Sequence, residues 1–196
     1  MLTEDHIFTI KTKDAQNVDD IQNVSTNVTI SGLNVLRDYI RIGDLVFVVF
    51  GGDKPAWKTG LVGLAQISST PFDDGYDGKK NFRVRINIKT YFDPIVRGDL
   101  VTYPETFDTI GISPITKWEP NQAITSVPKE KAIALLQAIC ELRPNAKKAV
   151  DALLGGEISS LSRPVKRYVV NVGNLAKPLQ HYSNHHPIGP IVFPSP

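Results

Sequence analysis

Cysteine is almost absent. Cys140 is the single one in 196 residues, which excludes an intramolecular disulfide and a cysteine-rich metal site. Net charge is nearly absent too: 22 Lys and Arg against 20 Asp and Glu leave +2, so the whole molecule is not a polycation. Affinity for a polyanion must then rest on where the charges sit. There is no glycine-rich loop ending in Gly-Lys-Ser/Thr and no G-x-G-x-x-G, the loops that cradle nucleotide phosphates. No stretch approaches the roughly 20 apolar residues of a membrane-spanning helix. The start, MLTEDHIFTI, has no basic region ahead of a long apolar run, so no signal peptide is expected. These absences together predict a cytoplasmic protein that carries no cofactor.

Metal and catalytic chemistry are equally thin. Of four histidines, His181, His185 and His186 crowd into a Pro-rich tail and His6 stands apart; a preorganised site wants three or four ligands on rigid supports. Asp73, Asp74 and Asp77 share a loop, without the alternating ligands and closing Glu of a calcium loop. Asp99 and Glu105 form no evident acid pair. Cys140 has the spacing of a helix core residue, which reads as a structural thiol and not a nucleophile.

What charge there is lies unevenly. The first 28 residues carry five acids and two lysines, whereas residues 129 to 168 carry eight Lys or Arg and four acids. The length suffices for one substantial core. Residues 11 to 27 are polar and read as a loop or arm. Ser31 is placed to cap a short helix, GLNVLRDYI. Gly43-Asp44 turns into LVFVVF (45 to 50), a β-branched and aromatic run with both faces buried. A second strand follows from Leu61 to Ser68, with Gly60 and Gly63 permitting a bulge or close backbone approach. After a turn-rich loop (69 to 79) comes a long strand that Asp93-Pro94 closes. Short strands are expected at 99 to 103 and around 110 to 115. Such a set of short strands reads as a curled sheet or small barrel. From Ser126, again a possible cap, KEKAIALLQAICELR is helical, and NAKKAVDALL forms a second helix ended by Gly155. Trp118 is expected where sheet meets helices.

The long strand, KNFRVRINIK, alternates: Phe82, Val84, Ile86 and Ile88 on one face, Arg83, Arg85, Asn87 and Lys89 on the other. Side chains two apart lie about 6.6 to 6.8 Å apart, a spacing of the order of successive phosphates. Lys and Arg there would position a nucleic-acid backbone without reading sequence. A solvated sheet face is the alternative. Lys54, Lys58, Lys79 and Lys80 flank the strand in its turns. Trp57 sits in GGDKPAWKTG, where a tryptophan must either fold back or line a pocket. Phe72 and Tyr76 lie in the other long loop, Tyr91 and Phe92 beyond the strand. Loop aromatics can form a slot for a flat ring, or simply plug a barrel mouth.

The order GDLVFVVF, GG…W…GLVGLAQI, PF…G and FRVRINI resembles the EVE/YTH branch of the PUA-like superfamily, over approximately Ile30 to Leu154. In domain order it is similar to the N-terminal DNA-recognition domains of McrB-like modification-dependent restriction proteins. The resemblance implies an α+β fold: a small curved β-barrel flanked by helices, with a helical hairpin at 129–154. The domain so defined runs over 30–161, after an N-terminal strand or arm (1–29) and before an extended segment or linker (162–196). It further implies a non-catalytic domain that flips a modified, methylated base of double-stranded DNA into an aromatic pocket. Trp57 would be the stacking wall, with Phe72, Tyr76 and Tyr91 nearby and Ser31 and Asn34 offering hydrogen bonds. Arg83, Arg85, Lys89, Lys79, Lys80, Lys58 and Lys54 would hold phosphates. A GTPase and a nuclease subunit of the same system would be the partners. Three other readings stay open: a PUA-like RNA-binding module, a protein-interaction domain using the KEKAIALLQAI helix, and a small nuclease or hydrolase.

Overall fold

The run Leu45–Phe50 forms β3, buried along its whole length. Its side chains alternate between two cores: Leu45, Phe47 and Val49 join one, and Val46, Val48 and Phe50 the other. A strand with water on neither face must lie mid-sheet, and it does. The computed structural model describes residues 6–33, 36–52, 54–75, 81–103, 106 and 124–155, all within the first of two compact units, Met1–Lys166. The strand expected at 110 to 115, Trp118, Glu105, Asp77 and the histidine-bearing tail lie outside the described residues.

Around β3 the strands are β1 (Ile7–Thr12), β2 (Val28–Ser31), β4 (Gly60–Ile67), β5 (Phe72–Asp73), β6 (Phe82–Ile95) and β7 (Ile124–Ser126). Their spatial order is β2-β6-β4-β3-β1-β7, with β5 added to β6. β1 and β3 are parallel and the other pairs antiparallel. The fold is α+β: a curved, mostly antiparallel sheet with helices on both faces. Helix α1 (Ala15–Gln22) places Val18 and Ile21 in the second core; α2 (Lys129–Leu142) and α3 (Lys147–Leu153) cover the first. Among the described residues no helix is long and apolar enough to cross a membrane.

The expected bend at Gly63 is present. A Cβ there would lie 2.5 Å from the Thr90 carbonyl oxygen, so only glycine admits this backbone approach. The β4–β6 register shifts on either side of it. The bulge turns β6 over: Val84, Ile86 and Ile88 face the second core, whereas Phe92 and Ile95 face the first.

Several expectations are corrected. Residues 11 to 27 hold the end of β1, then α1 capped by Asp14, whose carboxylate accepts from Asn17 N–H at 3.0 Å. The short helix after Ser31 is not formed. Ser31 ends β2, Leu33 N–H donates to Phe82 O at 3.2 Å, and among the described residues a 3₁₀ turn, Arg37–Tyr39, follows a left-handed Leu36. Leu33 N–H is thus committed to β6 and is not left for a Ser31 cap. Strand β6 runs on through Asp93-Pro94 to Ile95; β2 pairs only Arg83 to Ile86, so the proline's missing N–H breaks no ladder there. Residues 97 to 100 form a 3₁₀ turn instead of a strand, because Asp99 Oδ2 accepts from Val96 N–H at 3.0 Å and closes the chain on itself. Ser126 does not cap α2; it pairs with Phe8 in β7, and Pro128 holds the cap position.

Gly63→Ala is expected to cost roughly 1–3 kcal/mol in urea unfolding, because the clash is with backbone. Gly51→Ala would meet only the flexible Lys11 side chain and should cost clearly less; equal losses would mean that the Gly63 contact is not the stiff one.

Candidate nucleic-acid interface

Along β6, Val84, Ile86 and Ile88 are buried while Arg85 and Lys89 are exposed, and Arg83 and Asn87 are half-buried. Register adds neighbours. Ser31 of β2 and Phe72 of β5 both stand opposite Arg83, and Thr29 stands opposite Arg85. Directly opposed residues of antiparallel strands share a face. Ser31, Phe72, Arg83 and Arg85 are therefore brought together. α2 and α3 pack over β1, β3, β4 and the far end of β6, so their cover stops short of this patch.

The arginines are braced differently. The Arg85 guanidinium lies 5.3 Å from the Phe72 ring centroid, a cation–π contact that leaves its N–H edges free to donate. Phe72 thus lies beside Arg85. Arg83 Nε lies 2.8 Å from Asp74 Oδ1, close as an ion pair but not aligned as a hydrogen bond. Both partners are more than a third exposed, which places the pair in the range of about 0–1 kcal/mol. Asp73 Oδ1 accepts from Gly75 and Asn81 N–H groups at 2.9 Å each. Two of the three loop acids are thereby accounted for structurally. Among the described residues no His, Cys, Asp and Glu group could hold a metal ion.

Sequence reasoning missed Arg37. Its guanidinium sits 4.0 Å above the Phe82 ring centroid and 3.5 Å from Asp38. Spacing holds no trace of this contact, which arises because Leu33 is tied to Phe82.

Trp57 lies elsewhere. It occupies the β3–β4 connection, exchanges two backbone hydrogen bonds with Lys54 (3.0 and 3.2 Å), and donates its indole N–H to Gly51 O at 3.3 Å. The ring is half-buried against the second core. Of the two fates open to a tryptophan in this loop, it folds back. Lys54 and Lys58 are exposed beside it. Tyr91 is at the same end, 6.3 Å from the Phe50 ring. From Arg85 to Tyr91 and on to Ile95 is roughly 20–30 Å of strand. The structure therefore does not join Trp57 and Tyr91 to the arginine row. Asn34, Tyr76, Lys79 and Lys80 lie outside the described residues.

Two further side chains have structural settings. His6 Nδ1 is 3.0 Å from Asp44 Oδ1, and Asp44 Oδ2 accepts from Arg41 N–H at 2.6 Å, which fixes the turn into β3. Cys140 is half-buried against the first core; burial, then Asp151, pushes its thiol pKa up, partly offset by Lys147, and Glu141 raises it further.

No protein-family model matches the chain, and no curated protein matches it. Among solved structures, a hypothetical protein from Leishmania major aligns with 70% of this chain and 96% of its own, at 15% identity and a TM-score of 0.48. A protein from Pseudomonas putida aligns over 67% and 98%, at 14% identity and a TM-score of 0.49. Values this low carry no information about ligand.

Trp57→Ala is expected to lower stability by roughly 1–3 kcal/mol through lost packing, and Trp57→Phe by about 1 kcal/mol through the lost hydrogen bond, with oligonucleotide affinity unchanged in both. Thermal melts and fluorescence anisotropy test this; lost affinity at unchanged stability would make Trp57 a ligand contact. Iodoacetamide at pH 8 should alkylate Cys140 more slowly in the folded chain than in urea, since the raised pKa lowers the thiolate fraction. Equal rates would contradict the burial argument.

Proposed function

We propose that this chain is a non-catalytic nucleic-acid-recognition domain of the PUA-like kind, gripping the backbone of DNA on the face formed by β2, β6 and β5. One observation supports it above others: the row of half-buried Arg83 and exposed Arg85, flanked by the hydroxyl-bearing Thr29 and Ser31, with the Arg85 guanidinium 5.3 Å from the Phe72 ring centroid. A braced guanidinium has less side-chain entropy to lose when it meets a phosphate. Its planar fork suits bidentate contact with phosphate oxygens. Lys89 extends the row by two side-chain steps.

The reading that the DNA carries a modified base, and that the domain targets a restriction system with GTPase and nuclease partners, rests on the resemblance to the EVE/YTH branch. The chemistry is consistent: a methyl group adds apolar area and removes a donor from an exocyclic amine, and an aromatic pocket favours both changes. Extruding the base costs a few kcal/mol, which stacking and backbone contacts offset. No bond is broken by this domain.

Asp74 opposes ligand binding in this scheme, because its carboxylate already neutralises Arg83. The test is a titration panel of duplexes carrying 6-methyladenine, 5-methylcytosine or no modification, with matched RNA. Arg85→Glu combined with Lys89→Glu should weaken all ligands alike and reduce the slope of log affinity against log salt by about two. Asp74→Asn should tighten binding severalfold. Unchanged affinity and slope in the double variant would leave this face merely solvated, and a preference for RNA would redirect the assignment.

A further inference from the structure

A cleft of about 550 Å³ opens between the Arg37–Tyr39 turn and the start of α2. Phe8, Leu36 and Pro128 give it an apolar wall, Tyr39 an aromatic rim, and Lys129 and Glu130 a charged lip. The geometry points to this cleft, and not to the Trp57 loop, as the place where a single nucleobase is received from the nucleic acid held on the arginine face. The inference rests on the proposed function and adds to it the site that touches the ring.

Three observations carry it. The volume falls within the roughly 300–1,000 Å³ of small-ligand pockets. Tyr39 is 63% exposed, so most of its ring faces solvent and is available to stack, whereas Trp57 is tied to Gly51 and half-buried. Finally, Tyr39 shares one 3₁₀ turn with Arg37, which stands on Phe82 immediately before Arg83. The turn thus ties the cleft to the start of β6 through Phe82, on the strand face opposite Arg83 and Arg85. A base held on the arginine face would reach the cleft around the β2 edge.

The topology explains why a cleft exists here. β2 and β7 are the two ends of the sheet order. The chain leaving β2 crosses toward Phe8 and Ser126, which pair on the β1–β7 side. The cleft thus lies at the sheet's open seam, and a ring can enter without parting any strand pair. Lys129 donates and Glu130 accepts, which suits the mixed donor and acceptor edge of a base.

The test uses the full chain in two arms. In the first, adenosine and cytidine are titrated to millimolar concentration while the Tyr39 ring and Leu36 methyl resonances are followed by NMR. Both should shift; unmoved Leu36 methyls would overturn the inference whatever the arginine face does. In the second, Tyr39→Ala should lower affinity for duplexes with one extrudable mismatched or modified base by about fivefold or more. Its melting temperature should be unchanged, and Tyr39→Trp should restore binding. A Tyr39→Ala protein that binds these duplexes like the parent would also overturn the inference. If instead the Arg85→Glu, Lys89→Glu protein still binds every oligonucleotide normally while adenosine shifts Tyr39, the backbone reading fails and the cleft stands.

Discussion

Backbone meets backbone at Gly63 and Thr90, where a single added methyl would lie 2.5 Å from a carbonyl oxygen. The shifts in strand register sit around this contact, and they let β6 serve two cores in succession. Its first half seals the second core with Val84, Ile86 and Ile88, and its last residues pass Phe92 and Ile95 to the first. Because the strand turns over, the side of its first half that carries Arg83 and Arg85 lies beyond the reach of α2 and α3. The basic face is thus a geometric by-product of how the sheet bends, and not of any local concentration of charge.

That face is balanced, not strongly charged. Arg83 meets Asp74, Arg37 has Asp38 within 3.5 Å, and Arg85 rests on Phe72. A molecule of formal charge +2 has little long-range field to draw in a polyanion. A ligand held on this face, as proposed, would rely on short-range contacts to prepositioned groups. This suits recognition by geometry better than capture by attraction.

Periodicity made much of the fold legible. The unbroken apolar run at Leu45–Phe50, the alternation at Phe82–Ile88 and the helical spacing after Pro128 each correspond to an element of the right type. Elements held by other forces were not legible. α1 has only Val18 and Ile21 to bury, too weak a pattern to separate from a polar loop. The 3₁₀ turn at Arg97–Leu100 is closed by its own backbone bonds and by an Asp99 side-chain hydrogen bond to Val96 N–H, where propensity alone favoured a strand. At the candidate interface, alternation puts Arg83 and Arg85 on one face of β6, and the register sets Ser31 and Phe72 opposite Arg83. Alternation could not find Arg37, whose partner Phe82 is remote in sequence, nor the exposure of Tyr39 beside the cleft, which tertiary packing alone sets. For Trp57, composition shows that an indole sits in a loop but not which way it folds, and here it folds back onto Gly51.

The first strand of the chain and the last strand of the sheet are neighbours. The Thr9 and Thr125 hydroxyls, 116 residues apart, share a hydrogen bond across the β1–β7 pair. So during synthesis β1 is made well before β7 and lacks this flank until more than a hundred further residues have followed it. Closing so large a loop adds an entropic term that grows only slowly with length, but contacts this distant slow folding. A ribosome-bound chain stopped short of residue 124 would therefore expose one side of β1, and with it Ile7, Phe8 and Ile10, to whatever chaperone is at hand.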